Sequence, residues 1–341
     1  MRPVENPPNP WLTESVEYLD EHVPVARLSV FEDATRSILS TNDSPDVGFD
    51  HSVNPYRGCI HGCLYCYARP SHEYLGFGAG TDFERNIVIK RDPQALLRQA
   101  FDRKSWKGDK VLFSGVTDCY QPLEASYRLT RSCLEVCLEY RNPVGIVTKG
   151  PLIERDLDLL ADLHAVTSLN VSVSIPVWDP AHARAVEPFV APPRRRMETI
   201  QRLAEAGLDV GLNIGPMIPG LSDPDIPTLL SRAADAGATR AVLIFLRLPG
   251  SVLPVFEKGI RRNLPLRADR ILNRVRDARG GKLNDPRFGH RMRGEGPYAQ
   301  ASRDLFEHHV RRLGLNQGSR ARPLEPRSFR RPNRGPQLEL F

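Results

Sequence analysis

The sequence predicts an α/β protein organised on a mostly parallel sheet, and three observations carry that expectation. From residue 53 onward short apolar runs alternate with segments of helical period, the pattern of repeated βα units. The runs end in tips rich in glycine and polar side chains, and ligands bind at the carboxyl ends of the strands in such folds. The last run, residues 240–248, is apolar almost throughout, as a strand buried on both faces must be.

With 341 residues, 40% of them hydrophobic, the chain can bury a large core in one extended domain with appendages. No apolar run approaches the roughly twenty residues of a membrane span. The first ten residues lack the charged and apolar regions of a secretory signal. Six cysteines are too few to staple a chain of this size, so the thiols are expected to be reduced and the protein soluble and cytoplasmic, with no membrane partner. The net charge of +6 is unevenly distributed: residues 254–341 carry 21 Lys and Arg against 9 Asp and Glu, a net +12. Such asymmetry suggests either a nucleic-acid partner or merely a solvated basic face.

Taken in order, residues 1–50 read as an extension that wraps or frays, with no chemistry of its own. Residues 52–56 read as the first strand, leading into Asn54-Pro55-Tyr56-Arg57-Gly58-Cys59-Ile60-His61-Gly62-Cys63-Leu64-Tyr65-Cys66-Tyr67. This loop sets Cys59, Cys63 and Cys66 at the spacing C-x-x-x-C-x-x-C. Three thiolates on one loop can hold three irons of a cubane cluster, whereas ferredoxin patterns supply a fourth cysteine and seal it. The open iron is a place for a bidentate small molecule, and S-adenosylmethionine (SAM) is the cofactor whose radical chemistry is coupled to such a cluster. Zinc held by the same cysteines with His61 or His72 is the competing reading, although no second knuckle follows.

After a long connection, residues 86–90 read as a short strand and 93–103 as a helix. The strand at 110–115 ends in Gly115-Val116-Thr117-Asp118-Cys119-Tyr120-Gln121-Pro122-Leu123-Glu124, a tip dense with polar groups. A helix over 124–140 places Cys133, Val136, Cys137 and Tyr140 on one core-facing stripe. The strand at 144–148 ends at Lys149-Gly150, where a lysine can meet a carboxylate. A helix over 153–163 precedes an alternating strand, 167–175, with Ser172 and Ser174 on one face, where they bond either to a cofactor or to neighbouring backbone. A helix over 192–207 carries Arg194-Arg195-Arg196. The strand from Leu208 ends in a Gly/Pro-rich tip that includes Asn213, Ile214 and Gly215, where a missing side chain lets a flat ring approach the backbone. A helix over 225–236 precedes the strand 240–248, which completes six βα units. Helices over 252–261 and 265–279 follow. The loop 280–298 interleaves cations with Phe288 and Tyr298 and can hold phosphates and stack on bases, or simply close the open side of the barrel. A helix over 302–313 precedes residues 314–341, whose arginines and prolines indicate disorder.

The cluster loop after the first of six βα units resembles the radical SAM superfamily over roughly residues 51–250. More narrowly, N-P-Y-x-G-C-x-H-x-C-x-Y-C-Y-A-R-P-x-H-E-Y, T-D-x-Y-Q-P-x-E and R-G-G-K-L-x-D-x-R-F-G-x-R-M-R-G-E-G-x-Y resemble the DNA-repair-photolyase-like branch grouped with spore photoproduct lyase. The resemblance implies a partial (β/α)6 TIM-type barrel over 51–250, with an N-terminal extension, basic helices over 251–313 and a tail from 314. It implies a [4Fe–4S] cluster on Cys59, Cys63 and Cys66, with SAM on the fourth iron. Tyr65 would lie near the adenine, Gly115 near the methionine amino group, Lys149 near its carboxylate, Ser172 or Ser174 near polar groups of the cofactor, and Asn213, Ile214 and Gly215 at the adenine. The implied chemistry is one-electron reduction by a donor such as flavodoxin or ferredoxin, cleavage of SAM to a 5′-deoxyadenosyl radical, and hydrogen abstraction from a substrate.

One departure stands out. Spore photoproduct lyase carries a hydrogen-donating cysteine at the place matching Val116 here. Cys119, three residues on, is a candidate relay, and thymine-dimer repair is not implied. Asp118, Tyr120, Gln121 and Glu124 are candidates for positioning substrate or cofactor. The substrate classes left open are a nucleic acid and a peptide or small molecule, and a zinc-stabilised nucleic-acid-binding module without catalysis is the remote third reading.

Overall fold

The computed structural model describes residues 27–317 and 328–332. Among the described residues ten strands form two sheets: β1 (Ser29–Asp33), β2 (Leu39–Thr41), β3 (His51–Val53), β4 (Tyr56–Arg57), β5 (Asn86–Lys90), β6 (Val111–Phe113), β7 (Val144–Thr148), β8 (Leu169–Ser174), β9 (Val210–Met217) and β10 (Arg240–Phe245). The larger sheet has the order β10-β9-β8-β7-β6-β3-β2. Its six strands from β3 to β10 are parallel neighbours in chain order, and β2 pairs antiparallel with β3 at the edge. This is the six-unit α/β arrangement that the sequence predicts, with the sheet left open between β10 and β2.

Sheet strands and the helices between them share one core. Val111, Phe113, Val144, Ile146, Val171, Val210, Leu212 and Ile214 are all at most 1% exposed. They pack against Leu97, Phe101, Leu134, Leu160, Leu163, Ile200, Leu203, Leu229 and Leu230 from the intervening helices. Cys133, Val136, Cys137 and Tyr140 are fully buried, as their helical spacing requires. The apolar stripes of Val252–Asn263 and Pro265–Asp277 form a second core with Leu64 and Tyr65 of the cysteine loop. Gly259 permits that contact, since a β-carbon there would meet Leu64 Cδ1 at 2.5 Å.

Several elements differ from the sequence reading. The expected first strand is divided at Asn54-Pro55: β3 joins the large sheet, while β4 turns away to pair with β5 in the small sheet β1-β5-β4. The Asn86–Lys90 strand therefore lies outside the main sheet. The expected 124–140 helix breaks at Arg128, whose φ of 52° ends Glu124–Tyr127 before Leu129–Glu139 begins. The helix Pro180–Val186 was not foreseen: its N-cap is Asp179, whose Oδ1 accepts from His182 N at 2.8 Å, but only seven residues carry its pattern. The N-terminal extension contributes β1 and β2; its first 26 residues lie outside the described ones.

The tail was expected to be disordered. Residues 318–327 and 333–341 lie outside the described residues, but 328–332 are seated on the protein. Phe329 lies 6.1 and 6.2 Å from the rings of Phe101 and Tyr140. Arg331 donates to the carbonyls of Phe101, Arg103 and Trp106. The physical reason is an aromatic anchor inside an otherwise polar stretch.

Candidate active site

The cysteine loop leaves β4 and is held from three sides. Gly58 (φ +82°) turns it where a β-carbon would strike Phe83 O at 2.9 Å and His72 Cε1 at 2.8 Å. Gln121 clamps it from the β6 tip: its Oε1 accepts from Ile60 N at 3.0 Å and its Nε2 donates to Gly58 O at 3.1 Å, on either side of Cys59. From below, fully buried Arg69 donates to the carbonyls of Gly62, Cys63, Ala79 and Gly80 and to Glu84 Oε1 at 2.6 Å. The loop carbonyls thus turn toward Arg69 and are satisfied there.

Cys59 and Cys63 are buried and Cys66 half-buried, and all three are free thiols. Burial raises each pKa, and their mutual proximity adds to it for Cys59, while Cys63 is pushed up to about 12. Lys149 at the tip of β7 offsets this for Cys63 and Cys66, as does Arg69. With their pKa raised, these thiols are neutral in the apoprotein, and a bound metal would draw off their protons to make them thiolate ligands. A single tetrahedral zinc with Zn–S bonds of about 2.3 Å would draw its sulfurs to within about 4 Å of one another. Among the described residues, the one group of three His, Cys, Asp or Glu side chains with ligand atoms within 4.8 Å of one another is Asp285, His290 and Glu295, so these sulfurs are spread more widely.

Around the loop, the tips of β6 to β9 supply polar groups. Asp118 is half-buried and accepts from Thr148 Oγ1 at 2.6 Å, Lys149 N at 2.7 Å and Tyr120 N at 3.0 Å, with His61 Nδ1 at 3.4 Å. Burial pushes its carboxyl up, but the hydrogen bonds and charge arrayed around it, led by His61, prevail and hold it at about 2. The Lys149 ammonium stands 5.8 Å from the ring centre of Tyr65. Tyr65 donates its hydroxyl to Glu187 Oε1, and Glu187 Oε2 accepts from Arg196 at 2.6 Å. Arg196 also donates to Ser174 O at 2.7 Å, and Asn213 Nδ2 donates to Ser174 Oγ at 3.3 Å. This chain ties the residue before the third cysteine to the tips of β8 and β9. Ser172 lies half-buried on β8, two residues before the buried Ser174. Among the described residues no group is hydrogen-bonded to the buried Asn213 Oδ1, which is available to a ligand. A β-carbon on Gly215 would meet that same oxygen at 2.5 Å. Gly115 O accepts from Tyr67 Oη at 2.7 Å.

The remaining residues of the polar β6 tip face inward rather than into the mouth. Glu124 is fully buried and accepts from Tyr56 Oη at 2.6 Å, Thr130 N at 2.9 Å and Arg155 at 2.9 Å. Tyr120, 1% exposed, donates to Asp156 at 3.2 Å. Cys119 is equally buried within the main core, and burial raises its thiol pKa well above the usual range. These three residues occupy the scaffold under the site; the sequence's dense polarity did not distinguish a buried network from an open mouth. Conversely, Arg69, Arg196 and Glu187 were not singled out. An arginine three residues after the third cysteine was the available signal for Arg69.

A radical SAM superfamily model matches residues 53–233. An uncharacterized protein of Mycobacterium tuberculosis is 38% identical over 219 residues, 64% of each chain. An uncharacterized protein of Methanocaldococcus jannaschii is 31% identical over 176 residues, 52% of this chain and 63% of that one. The match thus spans under two thirds of the length of these curated relatives. Among solved structures, spore photoproduct lyase with bound AdoMet and dinucleoside spore photoproduct superposes with a TM-score of 0.60 at 17% identity, covering 88% of this chain and 86% of that one. Another spore photoproduct lyase structure gives 0.61 at 14% identity over 84% and 80%. With the family model spanning over half the chain and the three-cysteine loop at the mouth of an open parallel sheet, this chain belongs to the radical SAM superfamily of enzymes, whose cofactors are a [4Fe–4S] cluster and SAM.

Proposed function

We propose that this enzyme reductively cleaves SAM and abstracts hydrogen from a nucleic-acid substrate at the carboxyl end of its sheet. The observation that carries the radical chemistry is the trio Cys59, Cys63 and Cys66 on one loop, clamped by Gln121 and Arg69. The nucleic-acid part is supported by the net +12 of residues 254–341 and by the spore photoproduct lyase structures, which hold a dinucleoside lesion.

When bound, the cluster and SAM supply a one-electron reductive cleavage and a radical able to take hydrogen from carbon. The chain's own residues do the rest. Cys59, Cys63 and Cys66 are the cluster ligands. Lys149, half-buried and beside Tyr65, supplies positive charge for the cofactor carboxylate. Asn213 Oδ1, with Ser172 and Ser174 on the neighbouring strand, offers polar contacts, and the backbone at Gly115, Ile214 and Gly215 lets the cofactor approach closely. Asp118 accepts from the Lys149 backbone and stands 3.4 Å from His61 Nδ1, which links the tip of β7 to the cysteine loop. The buried network of Glu124, Tyr120 and Arg155 keeps the β6 tip rigid, so the reacting centre is oriented and water excluded.

The test is the EPR spectrum of anaerobically reconstituted, dithionite-reduced protein with and without SAM, beside Cys59→Ala. A [4Fe–4S]⁺ signal that shifts on adding SAM and is lost in the variant is expected. Stoichiometric zinc without iron would overturn the reading.

A further inference from the structure

The mouth of the sheet holds positive charge beyond the residues assigned above to the cluster and SAM. Arg247 follows β10 and is half-buried. Among the described residues no acceptor or carboxylate is hydrogen-bonded to its guanidinium, which lies 5.8 Å from the ring centre of Tyr67. Burial, together with the charge of Arg291, depresses its pKa. Beneath it, buried Arg279 spends its donors on the carbonyls of Leu246, His290 and Arg291. Arg291 pairs with Asp46 and stacks at 4.2 Å on Phe288, whose ring is 56% exposed. Of these three guanidiniums, Arg291 is the one contacted by a carboxylate among the described residues, while Asp285 and Glu295 act on Arg279 through space. The other acids of this loop, Asp285 and Glu295, are engaged by Arg287 at 2.7 and 2.9 Å.

The location is as informative as the charge. Tyr67 directly follows the third cysteine, and its hydroxyl reaches Gly115 after β6. Arg247 comes from the far edge of the same sheet. The Arg247–Tyr67 and Arg291–Asp46 contacts thus join the β10 edge to the cluster loop and to the β2–β3 connection, on the open side of the sheet between β10 and β2. Leaving a half-buried guanidinium without an acceptor costs stability, and a ligand that brings an anion would recover it. A planar guanidinium fork matches the oxygens of a phosphodiester, and an exposed aromatic ring beside it offers a face on which a base can stack.

We propose that Arg247, flanked by Arg291 and Phe288, is the subsite that grips a backbone phosphodiester of a nucleic-acid strand and presents the adjoining nucleotide to the cluster side of the mouth. This rests on the nucleic-acid reading above. The test is fluorescence anisotropy with labelled single-stranded DNA and RNA oligonucleotides across a salt series from about 50 mM, on cluster-loaded wild type, Arg247→Gln, Arg247→Lys and, as a control in the same basic half, Arg262→Gln. Arg247→Gln is expected to bind roughly fivefold or more weakly, with the log–log salt slope smaller by about one. Arg247→Lys, which keeps the charge but not the fork, should fall between, and Arg262→Gln should match wild type. Equal iron content and circular dichroism verify that the variants are folded. If Arg247→Gln binds like wild type, or both glutamine variants weaken alike, the subsite is wrong and the nucleic-acid reading survives. If wild type binds neither oligonucleotide at the lowest salt, the nucleic-acid reading falls and takes the subsite with it.

Discussion

Arg69 and Glu84 form an ion pair of 2.6 Å beneath the three-cysteine loop, with side chains 0% and 6% exposed. Removing one partner of a buried pair costs about 3–5 kcal/mol because the other charge is left stranded. Glu84→Ala should therefore lower the melting temperature and the iron bound after reconstitution. The double variant Arg69→Met/Glu84→Leu should not recover, because Arg69 also satisfies the carbonyls of Gly62, Cys63, Ala79 and Gly80. Recovery would mean that the pair, not the carbonyl clamp, shapes the loop.

Gln121 gives a second handle on the same loop. Gln121→Leu keeps the approximate volume and removes both bonds around Cys59, leaving Ile60 N and Gly58 O unpaired at about 1–3 kcal/mol each. Iron content and the SAM-induced EPR shift should both fall. A variant with wild-type iron and spectrum would show that Gly58 and the Arg69 clamp suffice.

How much of this could be read from the sequence depended on the kind of signal. Alternating apolar runs gave the six parallel strands because a strand buried on both faces has little freedom of composition. The cysteine spacing pointed to the candidate site because three thiols in eight residues have few other uses. Polarity at the β6 tip was ambiguous: Asp118 lies beside the cysteine loop, but Glu124 and Tyr120 are turned into the scaffold, and sequence cannot tell a buried, fully bonded carboxylate from one at a mouth. Arg196 sits in a run of three arginines whose neighbours Arg194 and Arg195 are more exposed, so only tertiary packing singles it out.

Asp118 should leave a pH signature. Its folded pKa of about 2 lies below the ordinary value of 3.8, so the stabilisation is fully present above about pH 4 and is lost as pH falls through 2. Asp118→Asn should lower apoprotein stability by about 2 kcal/mol at pH 7, with the gap to wild type closing between pH 4 and 2. Thermal unfolding followed by circular dichroism across that range measures it. A gap independent of pH would assign the effect to lost hydrogen bonds rather than to the charge.

The seated tail makes the last prediction. Phe329 stacks near Tyr140 and meets Phe101 edge-on, and Phe101 in turn stacks on Trp106 at 5.2 Å. Gly108 faces this anchor: with φ +83° and Phe329 Cβ only 2.3 Å from where its own β-carbon would stand, it is the residue that lets the tail lie flat. Arg331 adds three bonds to carbonyls at the end of the helix Pro93–Asp102 and the turn beyond it. Phe329→Ala removes a ring that is partly exposed, so the cost should fall below the 3–5 kcal/mol of a fully buried phenylalanine, at about 1–3 kcal/mol. Gly108→Val should cost at least as much by displacing the same ring and straining the backbone. Both variants should change Trp106 fluorescence and lower the melting temperature. Because the anchor lies on the helix side of the sheet, oligonucleotide affinity should stay unchanged. A loss of affinity without a loss of stability would instead tie residues 328–332 to the substrate.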